Sequence, residues 1–71
     1  MRDVRTRYNK IVKLLKPLVG QVLPMGKISR QIMIEIGTSS SVVQETLSFM
    51  IELGLIKETE HMIFEVMRAD A

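Results

Sequence analysis

The side chains able to do chemistry fall into three groups. The first is cationic: residues 1–30 carry Arg2, Arg5, Arg7, Lys10, Lys13, Lys16, Lys27 and Arg30 against Asp3 alone, a net of +7. Residues 31–71 carry Lys57 and Arg68 against Glu35, Glu45, Glu52, Glu58, Glu60, Glu65 and Asp70, a net of −5. The overall charge of +2 therefore conceals a basic half and an acidic half. A basic face attracts a polyanion and an acidic one repels it. The second group is the run Ser39, Ser40, Ser41. Serine hydroxyls beside a helix start satisfy its unpaired amides, and the same free amides suit a phosphate. The third group is Glu58, Glu60, His61 and Glu65, best explained as a turn residue and a solvated strand face. With one histidine and no cysteine, no set of nucleophile, base and orienting group can be assembled, and a thiolate zinc site is excluded. Neither enzymatic activity nor a cofactor, metal or small-molecule ligand is expected.

A chain of 71 residues makes one domain with one small core. It buries only about 60% of the surface its unfolded form exposes, so its stability is marginal unless something staples it. The absence of cysteine removes disulfides from that role and fits a reducing compartment. With 46% apolar and 25% charged residues the sequence is globular, and no apolar run is long enough to span a bilayer. The charged start has no apolar signal core, so a cytoplasmic protein without a membrane partner is expected.

These groups must be positioned by short elements. Val4, Tyr8, Ile11, Val12, Leu15 and Leu18 recur at three- and four-residue spacing, which predicts a first helix over about 3–16. Asp3 suits its N-cap, and Pro17 disfavours helical geometry at Lys16. Arg2, Lys10 and Lys13 then lie opposite the apolar arc. The segment PLVGQVLPMGK reads as a connector, followed by a short extended piece at Lys27–Ile28. A second helix over about 29–36, capped by Ser29, would turn Ile32, Met33 and Ile36 inward and end at a left-handed Gly37. A third over about 40–53 would bury Val43, Leu47, Met50 and Ile51 and stop at Gly54. Only Ser41, with Gln44 three residues on, has capping-box spacing; an earlier cap without the box stays open. Alternation from Leu55 to Met67 predicts a hairpin over about 55–67, turning near Glu60–His61.

The stretch ISRQIMIEIGTSSSVVQETLSFMIELGLIKETEHMIFEV, residues 28–66, carries a turn glycine, a capped helix with Val and Leu four apart, and a Leu-Gly-Leu-Ile exit. It resembles the winged helix-turn-helix DNA-binding domain family, most similar in size to small archaeal, viral and plasmid-type regulators. The resemblance implies an α+β, mostly α fold, a three-helix winged helix-turn-helix with a C-terminal β-hairpin wing. It further implies that the third helix enters the major groove of double-stranded DNA. Carried over by position, the DNA-binding residues would be Ser39, Ser40, Ser41, Gln44 and Ser48, with Glu45 on the same face. Lys27 and Arg30 would meet the phosphate backbone. The third helix departs from the family pattern in having no Lys or Arg, and the wing tip at Glu60–His61 is acidic.

Double-stranded DNA binding dominated by phosphate contacts, in a small transcriptional regulator, is the function these features imply. The alternative is a winged helix whose acidic third helix docks a protein partner; a weaker option confines nucleic-acid contact to the first helix. Met62, Ile63 and Met67 cannot all point inward from one strand. Apolar surface should therefore remain outside, making the first helix and last strand candidate contacts in a homodimer.

Overall fold

The structure, a computed structural model, describes residues 4–70. Helix α1 spans Val4–Leu15, and a 3₁₀ turn at Lys16–Leu18 follows it. Strand β1 is Val22–Pro24, helix α2 is Met25–Glu35 and helix α3 is Ser40–Glu52. Strands β2, Ile56–Glu60, and β3, Ile63–Val66, close the chain. The fold is α+β and mostly α, three helices with a C-terminal hairpin, as the sequence predicts. Asp3 and Arg2 lie outside the described residues, so the expected first-helix cap does too.

The hairpin belongs to a three-stranded antiparallel sheet in the order β1-β3-β2. Leu23 lies opposite Phe64 and Ile56 opposite Val66, and all four are buried. Alternation along β3 thus places Phe64 and Val66 on the core face, which the period-2 pattern already required. A bulge between Glu58 and Glu60 shifts the register before the turn. Met62, in that turn, has φ 63°, and its amide donates to Glu58 Oε2 at 3.0 Å. The turn needs a left-handed residue, and the sequence supplies a methionine where glycine would fit without steric cost.

The strand expected at Lys27–Ile28 lies instead at Val22–Pro24, and Lys27 and Ile28 are helical. Helix α2 accordingly starts four residues before the expected 29, and Ser29 is inside it rather than its cap. The physical reason is tertiary. Pro24 is pinned opposite Ile63 by the sheet, and its extended backbone (φ −67°, ψ 150°) serves as N-cap. The Met25 amide, unpaired within the helix, donates to Met62 O at 2.8 Å. Starting there lets Ile28 and Ile32, one turn apart, both become fully buried.

The core gathers Ile11, Leu14 and Leu15 of α1, Ile28 and Ile32 of α2, and Val43, Leu47 and Met50 of α3 over the sheet. Two expected core residues face out: Met33 and Ile51 are exposed, and Ile36 is only partly buried. Leu14 and Thr46 were not expected inside. Thr46 tolerates complete burial because its hydroxyl donates back to Val42 O at 2.7 Å.

The two helix-ending glycines differ. Gly54 has φ +73°; its amide donates to Ile51 O, and the Leu55 amide donates to Met50 O. This pair of bonds makes a Schellman end, with Leu55 packed into the core alongside Met50. Gly37 is not left-handed. A Cβ there would meet Val42 Cγ1 at 3.2 Å, so it is close approach to α3 that favours glycine.

Candidate nucleic-acid interface

Helix α2 carries Lys27 and Arg30 in its first two turns, one turn apart and exposed. With Gly26 and Gln31 they line a surface hollow of about 470 Å³. Among the described residues neither cation makes an ion pair. The sequence places them on either side of a helix start. Both are inside the helix, which fixes their spacing along one face. Gly26 joins the lining because α2 starts at Met25, within the segment that reads as connector, and Gln31 joins it from inside the expected helix.

Ser39 is the N-cap of α3. Its Oγ accepts from the Val42 amide at 3.2 Å and lies 3.4 Å from Ser41 Oγ. The capping box for which Ser41 alone has the spacing does not form, because the helix has already begun at Ser40, and the earlier cap left open by the sequence is the one used. Advancing about 100° per residue, Ser40, Ser41, Gln44 and Ser48 fall within one arc of α3, and all are exposed. The residues assigned to groove contact are therefore brought together on one solvent face, with Ser39 capping its end.

That face also holds Glu45, Glu52 and Ile51, the last 48% exposed. Gln44, Glu45, Ser48, Phe49 and Glu52 line a shallow groove of about 370 Å³. Arg7 of α1 approaches Glu45, Nη1 to Oε1 at 3.8 Å, and offsets part of that carboxylate's charge. A surface ion pair of this length contributes little to stability. It does orient Glu45 toward α1.

The exposed side of α1 is cationic. Arg5, Thr6, Asn9, Lys10 and Lys13, with Lys16 of the 3₁₀ turn just beyond, are exposed and include no carboxylate. His61 is exposed in the turn between β2 and β3, flanked by Glu60. Among the described residues no helix is long and apolar enough to cross a membrane.

Comparison of the chain with family models, with curated proteins and with solved structures finds no match in any of the three.

Proposed function

We propose that the protein binds double-stranded DNA as a small transcriptional regulator of the winged helix-turn-helix type, with phosphate contacts supplying most of the affinity. The observation that carries this reading is the pair Lys27 and Arg30, side by side at the start of α2 and lining one hollow. Two cations one helical turn apart, without an ion pair among the described residues, suit adjacent phosphate oxygens, and helix amides nearby add favourable dipoles. The hydroxyl and amide face of α3, Ser40 and Gln44 above all, offers limited base readout. Glu45 and Glu52 oppose deep approach to the backbone, so the cations of α2 and α1 must outweigh them. The test is fluorescence anisotropy on random and genomic duplexes across a salt series. Binding that weakens steeply with salt is expected, and no binding at low salt would end the proposal.

A second reading is favoured by a specific feature: the α3 groove joins two carboxylates to half-buried Phe49, and Ile51 is exposed on the same helix outside it. Such a surface suits a basic, partly apolar protein partner. The double substitution Lys27→Glu/Arg30→Glu separates the two. It abolishes DNA binding under the first reading and leaves partner binding intact under the second.

A further inference from the structure

Glu58 stands on the hairpin, apart from Lys27 and Arg30, yet two hydrogen bonds connect it to the helix that carries them. Its Oε2 accepts from the Met62 amide at 3.0 Å, and Met62 O accepts from the Met25 amide at 2.8 Å. Met25 is the first residue of α2, and Lys27 follows two residues on. Met62 is held at φ 63°, and among the described residues it is the only non-glycine with positive φ. That conformation is unfavourable for a residue with a Cβ, so a partner outside the backbone must hold it. The Glu58 carboxylate is such a partner, because an amide bonds a charged oxygen more strongly than a neutral one.

Helix α2 depends on that connection. Its N-cap, Pro24, makes no side-chain cap bond. Pro24 faces Ile63 in the sheet but has no amide to donate, so the Met25 amide makes the tie instead. The first amides of a helix have no partner within it, and Met62 O supplies from the hairpin what a capping side chain supplies elsewhere. Further along the first turn the anchor is Ile28, which is fully buried. Lys27 lies between these two anchors, whereas Arg30 lies beyond both. We infer that Glu58 is a positioning residue for Lys27, acting through the Met62 backbone on the start of α2. With the Glu58 acceptor gone, φ at Met62 relaxes, its carbonyl turns away from the Met25 amide, and residues 25–27 leave the helix. Gly26, a weak helix former, makes that stretch easy to unwind.

Only the consequence for duplex binding rests on the DNA reading proposed above. There the Glu58 carboxylate repels phosphates directly, yet it keeps Lys27 in line with Arg30 to meet them. Charge and hydrogen bond are separable. Glu58→Gln and Glu58→Ala remove the same charge, and only glutamine keeps an acceptor oxygen. Glu58 is exposed, so neither change opens the core.

The test is amide hydrogen exchange by NMR on the whole chain without DNA, with the Leu47 amide of α3 as internal reference. The Met25 amide should exchange roughly fivefold faster in Glu58→Ala than in Glu58→Gln, the effect of about one hydrogen bond, while Leu47 exchanges alike in both. Equal exchange at Met25 in the two variants would overturn the inference. So would an equal acceleration at Met25 and Leu47, which marks general destabilisation rather than a local release. On duplex DNA, the log–log salt slope of Glu58→Ala should be shallower than that of Glu58→Gln by about 0.9, one phosphate contact. Equal slopes with duplex still bound would overturn the assignment of Lys27 as the residue positioned. A wild type that binds no duplex would end the DNA reading alone, because exchange at Met25 reads the connection separately.

Discussion

Removing both cations of the α2 hollow, Lys27→Ala with Arg30→Ala, offers the sharpest test of phosphate-led DNA binding. Both side chains are exposed and line the same hollow, so the double change should leave the fold intact. Each phosphate neutralised contributes about 0.9 to the slope of log affinity against log salt, so losing two contacts should flatten it by about 1.8. Across a fourfold change in salt, from about 50 to about 200 mM, that difference amounts to roughly one decade of affinity. The variant should bind more weakly than wild type at low salt, and the gap should narrow by about tenfold at the higher salt. Anisotropy with one labelled duplex measures both slopes. A variant that binds more weakly with an unchanged slope would refute the reasoning, because Lys27 and Arg30 would then act otherwise than on phosphates.

Three further outcomes concern the frame that holds the interface. Ser39→Ala should cost about 0.5–2 kcal/mol by removing the α3 cap, whereas Ser41→Ala should stay within about 0.5 kcal/mol; thermal melts of the two variants decide which serine caps. Gly54→Ala forces a side chain into φ +73° with its Cβ 3.2 Å from Arg68 Nη2. It should destabilise by about 1–2 kcal/mol, read as a lower denaturant midpoint, and an unchanged midpoint would remove the strain account. Met62→Gly relieves the left-handed turn residue but adds freedom to the unfolded chain, so a net gain of about 0.5–1 kcal/mol is expected. A lower melting temperature for this variant would mean that the half-exposed methionine side chain contributes more than its backbone costs.

Local pattern carried much of this protein. The α1 stripe, the stop before Pro17, the α3 span and the turn at Gly54 all follow from spacing and residue type, because each depends on neighbours within one or two turns. The hairpin follows from alternation for the same reason. The polar residues expected on one face of α3 do share it, since a helix fixes the angle between any two of its positions. What sequence reasoning missed depends on distant partners. Val22–Pro24 looks like connector because its strand character comes from Phe64 and Ile63 across the sheet. Helix α2 begins at Met25 because Pro24 is held by that strand and the Met25 amide finds Met62 O. Gly37 reads as a left-handed cap, but what favours glycine there is the approach of Val42.

The sequence by itself determined the classes of chemistry: no thiol, one histidine, a basic first half and an acidic remainder. It also determined the element order, because amphipathic period and turn residues are local properties. Tertiary structure alone decided that Lys27 and Arg30 share one hollow, that Ser39 rather than Ser41 caps α3, and that Met33, Ile34 and Ile51 stay outside the core. Those outcomes turn on which of several compatible registers buries the most apolar surface. That competition is settled between elements and not within them.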